Sequence, residues 1–210
     1  MVTASIKSER VIPVIEIEDA DKAAPLAEAM QNGGINILEI TLRTPAALDA
    51  IKVIRSSFPD MLLGAGTVLT PGQANEVLQT GVDFGVSPSL NPDVVKIFGD
   101  KGLPFLPGVL SPTELEFAVK LGCDYLKFFP AGASGGPAFL KAISAPYANY
   151  GICFCATGGV TLDNMGDYLA VPLVNAIGGS WIATRQQIAK GDWDSIANQA
   201  RQATSRLEAV

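Results

Sequence analysis

Along the chain, short apolar runs alternate with longer segments in which apolar and polar residues mix at helical spacing. The runs are VIPVIEI (11–17), INILEITL (35–42), MLLGAGTV (61–68), DFGVSP (83–88), LPFLPGV (103–109), YLKFFP (125–130), ICFCATGG (152–159) and LVNAIGGS (173–180). Each is rich in Val, Ile, Leu or Phe and bounded by turn residues, which predicts a strand. Their starts lie roughly 20 to 27 residues apart, room for one strand, one helix and two turns. Between them, TPAALDAIKVI, TPGQANEVL, NPDVVKIF and SPTELEFAV put Thr44, Thr70, Asn91 and Ser111 in the N-cap place. A proline follows each cap, at the position where a missing N–H costs nothing. Gly33, Gly81, Gly102 and Gly122 fall where the helices should close.

Eight such repeats predict an α/β fold, a single-domain (β/α)8 TIM barrel over residues 1–210. A doubly wound open sheet has the same alternation, but no G-x-G-x-x-G follows the first strand. TASIKSER (3–10) predicts a short helix over the barrel floor, and GDWDSIANQARQATSRLEAV (191–210) a terminal amphipathic helix with no strand behind it.

Composition narrows the function classes. No apolar run approaches the roughly 18 residues of a membrane span, and the polar opening MVTASIKSER lacks a signal-peptide core, so a cytoplasmic protein without membrane partners is expected. A net charge of −6 without any basic run argues against nucleic acid. The absence of histidine excludes Ser-His and Cys-His nucleophilic systems and imidazole metal sites. Three cysteines, Cys123, Cys153 and Cys155, are an odd number and read as free thiols; an apolar strand explains the C-F-C spacing better than a soft metal does. No metal and no cofactor are expected.

The chemistry must then run through carboxylates, lysine, tyrosine or water. Period-two alternation places Tyr125, Lys127 and Phe129 on one face of the sixth strand. An ammonium among such neighbours is costly unless it is paired or gives up its proton. A lysine of ordinary pKa, about 10.4, is neutral in only about one molecule in 2,500 at pH 7, so a nucleophilic role requires apolar walls or a neighbouring cation. Snorkelling to the surface or pairing with a carboxylate is the plain alternative. On the second strand Glu39, Thr41 and Arg43 share a face, bringing a proton-transfer carboxylate and an anion-binding guanidinium toward the interior; a buried Glu39–Arg43 salt bridge is the alternative there. The last two strands end in glycine clusters, Gly158–Gly159 and Gly178–Gly179 followed by Ser180. Barrel enzymes surround phosphate with backbone N–H groups at those two strand ends, although ordinary tight turns also use glycines. GAGTV presents Thr67, a hydrogen-bonding group for a carboxylate.

LEITLRT, GAGTVLTP, GVSPSLNP, PFLPGVLSPTE, LKFFPA, ATGGVTLDN and IGGSW, in this order, resemble the family of 2-keto-3-deoxy-6-phosphogluconate (KDPG) and 4-hydroxy-2-oxoglutarate (KHG) aldolases. The resemblance runs from VIPVIEI to the terminal helix. It implies a class I carbon–carbon lyase in which Lys127 is the Schiff-base lysine and Glu39 the general acid/base. Arg43 and Thr67 match the residues that hold the pyruvyl carboxylate, while Pro88 and Phe129 line the pocket. Thr157, Gly158, Gly159 and Ser180 match the phosphate site, which the reading of the glycine clusters extends to Gly178 and Gly179. A homotrimer that takes a small 2-keto acid phosphate and releases pyruvate is also implied. Two departures adjoin the pocket and bear on substrate range: Ser89 follows Pro88 where glycine is common, and Ala156 precedes TGG where proline is common. Alternatives are preference for the galactonate epimer or for 4-hydroxy-2-oxoglutarate, a metal-dependent barrel enzyme, and a non-catalytic binder of phosphorylated ligands.

Overall fold

The computed structural model of the chain describes residues 2–207. Helix α1 (Val2–Ser8) leads into β1 (Val11–Ile15), after which helices and strands alternate: α2 (Ala23–Asn32), β2 (Ile37–Thr41), α3 (Ala47–Ser57), β3 (Leu62–Gly66), α4 (Pro71–Leu78), β4 (Phe84–Val86) and α5 (Pro92–Asp100). Two short strands, β5 (Phe105–Leu106) and β6 (Gly108–Val109), come next, followed by α6 (Pro112–Lys120), β7 (Tyr125–Phe128), α7 (Gly136–Ser144), β8 (Cys153–Thr157), α8 (Met165–Leu169), β9 (Val174–Gly179), α9 (Arg185–Lys190) and α10 (Trp193–Leu207). The pairs are parallel, in the spatial order β5-β4-β3-β2-β1-β9-β8-β7-β6.

The nine strands are the eight expected ones with the fifth cut in two. LPFLPGV breaks at Pro107, which has no N–H to give a ladder. Its carbonyl still accepts from the Lys127 amide at 2.9 Å, while the carbonyl of Leu106 accepts from Ser87 at 3.2 Å. Residues 105–109 therefore bond to β4 on one side and β7 on the other, closing the sheet into a TIM-type barrel. Helices cover its outer face, so both faces of the strands are buried, and the apolar runs are nearly continuous rather than alternating.

Three of the four expected helix starts form as read. Thr70, Asn91 and Ser111 accept backbone N–H groups of the first turn with proline just inside, and Thr70 and Ser111 complete capping boxes with Gln73 and Glu114. Thr44 does not cap: its hydroxyl donates to the Ile17 carbonyl instead, and α3 begins at Ala47 without a side-chain cap. The left-handed residue after α2 is Gly34, not Gly33, whose φ is −90°. Gly33 serves packing, because a Cβ there would come within 2.3 Å of Ala200 on α10. That helix buries Ile196, Ala197, Ala200 and Ala203 as one stripe. The last three residues of the predicted terminal helix, 208–210, lie outside the described residues. At the other end Lys7 pairs with Asp124 at 2.7 Å and its carbonyl accepts from Asn175, which lays α1 across the N-terminal ends of β7 and β9, the floor.

Glu114 illustrates how these helix starts are held. Burial alone would raise its pKa, but hydrogen bonds from the Leu110 and Ser111 amides and the Ser111 hydroxyl hold it below the ordinary 4.5. Replacing Ser111 with alanine should cost about 1 kcal/mol in urea unfolding. A folded pKa below the unfolded one means that Glu114's share is complete above about pH 4.5 and disappears as pH falls lower; the Ser111→Ala penalty should therefore be smaller at pH 3 than at pH 7.

Candidate active site

The question posed by Lys127 is answered by its neighbour across the barrel. Its backbone pairs with Gly108 of β6 and Cys155 of β8, and its side chain points inward, 4% exposed. There Nζ lies 3.3 Å from Oε1 of Glu39, itself 3% exposed. The ammonium also sits 5.5 Å from the centroid of the Phe129 ring, within cation–π range. The lysine pairs with a carboxylate and does not snorkel to the surface. Room for the pair comes from glycine: a Cβ on Gly66 at the end of β3 would fall 2.1 Å from Glu39 Oε1. Pro88 stacks its backbone on the neighbouring strand, where a Cβ on Gly108 would meet its carbonyl at 2.1 Å.

Arg43 does not share the interior with Glu39. Strand β2 ends at Thr41, whose hydroxyl donates to the Ile15 carbonyl at 2.8 Å, and Arg43 lies beyond it with its side chain 44% exposed. The expectation that both charges point into the interior fails for Arg43, and the alternative of a buried Glu39–Arg43 salt bridge is not realised either: at the rim Arg43 Nε donates to Thr67 Oγ1 at 3.3 Å, and Nη1 lies 3.5 Å from Glu16 Oε2. Thr67 has φ +59°, a left-handed conformation that a β-branched residue adopts only under strain. Such strain, of order 1–3 kcal/mol, is characteristic of functional sites.

The two glycine clusters have different structural tasks. Gly158 and Gly159 have φ of +92° and +82°, which a side chain would resist. The loop they form is pinned by its carbonyls: Thr157 O accepts from Ala131 N at 2.8 Å, Gly158 O from Gly132 N at 2.7 Å, and Gly159 O from the Asn164 side chain at 3.0 Å. The amides of Gly158, Gly159 and Ser180 make no backbone hydrogen bond among the described residues. Gly178 and Gly179 instead belong to β9, paired with Ile12 and Pro13. Their missing side chains make room for Thr157 Oγ1, 2.5 Å from a Cβ on Gly178, and for the Trp181 indole, 2.4 Å from one on Gly179. Ala156 lies between Cys155 and Thr157, whose polar atoms meet at 3.7 Å, and so points to the opposite face of β8, away from the pocket.

A cleft of about 300 Å³ opens at this end of the barrel, lined by Thr41, Arg43, Ser180 and also by Glu16 and Arg185. The last two were not singled out in the sequence: Glu16 continues an apolar strand and Arg185 opens α9 beside its Thr184 cap, so neither carries a motif. Larger grooves of about 650 and 660 Å³ occur elsewhere, the first at the N-terminal ends of β5 and β7; Lys127 and Glu39 line neither of these nor the 300 Å³ cleft, which approaches the pair through Thr41, two residues along β2 from Glu39. The chemistry, not the volume, locates the site. The three cysteines are buried and free, and burial pushes their thiols up, Cys155 to about 12, so they are protonated at neutral pH. Among the described residues no group of His, Cys, Asp or Glu is arranged to hold a metal, and no helix is long and apolar enough to cross a membrane.

Comparison with known proteins points the same way as the geometry. Residues 2–199 match the family model described as KDPG and KHG aldolase. The 2-dehydro-3-deoxy-phosphogluconate aldolase of Haemophilus influenzae is 42% identical over 197 residues, 94% of this chain and 92% of that protein. The KHG/KDPG aldolase of Escherichia coli is 41% identical over 92% of this chain and 90% of its own. Among solved structures, the KDPG aldolase of Legionella pneumophila, with pyruvate captured at low pH as a covalent carbinolamine intermediate, superimposes with a TM-score of 0.91. It is 40% identical, with 97% of this chain and 98% of that one covered.

The tight fit around the carboxylate gives a test. Gly66→Ala should displace Glu39 from Lys127 and lower stability by about 1–3 kcal/mol in urea unfolding, the usual cost of overpacking. Gly99→Ala, where a Cβ meets nothing within 4 Å, should show no such loss.

Proposed function

This chain belongs to the KDPG and KHG aldolase family, and from that premise we propose that it is a class I aldolase cleaving 2-keto-3-deoxy-6-phosphogluconate to pyruvate and glyceraldehyde 3-phosphate. The observation that carries this reading is the buried amine–carboxylate contact of 3.3 Å between Lys127 and Glu39. Such a pair exchanges one proton between two groups, so Glu39 can leave Lys127 as the free amine that attacks a ketone.

In the proposed mechanism, Lys127 adds to C2 of the keto acid, and the proton that Glu39 took from the amine goes to the departing C2 hydroxyl; loss of water gives a protonated imine that accepts electrons from the bond to be broken, and Glu39 is again a carboxylate. Glu39, directly or through a water, takes the proton of the C4 hydroxyl as the C3–C4 bond breaks. Glyceraldehyde 3-phosphate departs and the enamine of pyruvate remains. The same carboxylate returns its proton to C3, and water hydrolyses the imine to release pyruvate. One carboxylate serving both transfers suits a site without histidine. Arg43, steadied by Thr67, receives the keto acid's carboxylate, while Pro88 and Phe129 wall the reacting carbons. The unused amides of Gly158, Gly159 and Ser180 receive the phosphate; Thr157, Gly178 and Gly179 shape the backbone beneath them. The roles need neither metal nor cofactor.

The wider reading is a single barrel domain over 1–210, supported by one apolar core cluster reaching from Ile6 to Ala203. It acts in the cytoplasm at the cleavage step of the Entner–Doudoroff sequence. We also propose a homotrimer, in keeping with large apolar side chains left exposed on adjacent helices, Phe117 on α6 and Phe139 on α7.

Incubation with pyruvate and sodium borohydride should leave a reduced pyruvyl adduct on Lys127, located by peptide mass, and none on Lys127→Ala. A folded protein without the adduct refutes the imine mechanism. Glu39→Gln should lower kcat for cleavage by about a hundredfold or more, the usual loss of a general acid/base. Light scattering should give about three times the 21.9 kDa of the chain; a mass near that of one chain refutes the trimer.

A further inference from the structure

Three charged side chains on the cleft rim, Glu16, Glu18 and Arg185, take no part in the steps above. Glu16 gives each carboxylate oxygen to a different guanidinium: Oε2 faces Arg43 Nη1 at 3.5 Å, and Oε1 contacts Arg185 Nη1. The second nitrogen of Arg185, Nη2, contacts Glu18. Arg43 and Arg185 thus flank one carboxylate, and both line the cleft that contains Ser180.

The two cations have different neighbourhoods. Arg43 is tied to Thr67, at the proposed keto acid end. Arg185 stands at the start of α9, on the chain that has just left β9 through Ser180. Glu16 is largely buried, its side chain 22% exposed, and fixes one edge of Arg185; Glu18 is 62% exposed and holds the other edge in solvent. An exposed ion pair is weak and readily exchanged, whereas a guanidinium offers a phosphate two parallel N–H donors with full charge. The glycine-loop amides supply donors without net charge, so a dianion at Ser180 lacks a counter-charge unless a cation turns to it. Arg185 is the cation of that loop which lines the cleft.

We propose that Arg185 is a specificity-determining residue that reads the distal anionic group of the substrate, held within reach by Glu16 and exchanging Glu18 for a phosphate beside Ser180. This rests on the aldolase reading above. The test compares kcat/KM of wild type, Arg185→Ala and Arg185→Lys on 2-keto-3-deoxy-6-phosphogluconate and on its unphosphorylated analogue, with borohydride trapping of pyruvate on each protein. Arg185→Ala should lower kcat/KM for the phosphorylated substrate by about tenfold or more, mainly through KM, and that for the analogue by less than about twofold. Arg185→Lys should recover part of the loss. Equal losses on both substrates, as a purely structural ion pair would give, or no loss on either, overturn the proposal. Trapping by Arg185→Ala marks an intact imine site, so its lost phosphate preference is then due to Arg185. A wild type that traps no pyruvate refutes the aldolase reading itself, and this proposal with it.

Discussion

An ammonium and a carboxylate 3.3 Å apart in an apolar interior govern the rest of this structure. Neither group tolerates that location alone, since removing a partner leaves an uncompensated charge or drives the survivor neutral, the amine by losing a proton and the carboxylate by gaining one. Everything around the pair serves to make the contact possible. The third strand ends in a glycine because a methyl group would occupy the carboxylate's place. The facing residue on β8 is a thiol kept protonated by burial, a polarisable neighbour that adds no charge. The outer faces of the same strands carry Leu38, Ile40, Leu126 and Phe128 into the helical layer, and these anchor the backbone from which the two charged side chains project.

From this centre the site grades outward from dry to wet. Glu39 and Lys127 are buried; Thr41 follows one step along the strand; Arg43, Ser180 and Arg185 stand at the surface. The bond-making chemistry proposed for the buried pair and the anion recognition proposed for the rim are therefore separated by depth as well as by residue type. The buried pair is screened little by salt, whereas the rim guanidiniums operate where water and ions compete. The strained Thr67 connects the two zones, following directly on Gly66 beside Glu39 and accepting from Arg43.

Most of the architecture was legible in the sequence because it rests on local rules. Strand spacing gave the barrel, and Thr70-Pro71, Asn91-Pro92 and Ser111-Pro112 gave helix starts. The same rule failed at Thr44, where a carbonyl of the neighbouring strand end, Ile17, competed successfully for the hydroxyl. Period two correctly placed Lys127 and Glu39 on inward faces, but it fixes only a face, not a partner. It therefore could not tell that Glu39 would meet Lys127 across the barrel, or that Arg43, past the end of its strand, would turn to Glu16. Glu16 and Arg185 carry no sequence signal because they stand 169 positions apart (16 and 185) and meet only when β9 closes against β1. Long-range ion pairs of this kind leave no spacing to read.

The interruption at Pro107 has a consequence for how the molecule comes apart. A closed sheet has no free edge, and unfolding must create one by cutting a ladder. Here the wall offers a place where two strands of two residues each meet at a residue without an amide proton. A breach at that point parts β6 from β5 and leaves β6 as the new edge, one strand out from β7, whose Lys127 amide hangs on the Pro107 carbonyl. The buried lysine is thus carried on the strand next to the seam, and the two residues of β6 are all that separate its backbone from a newly opened edge.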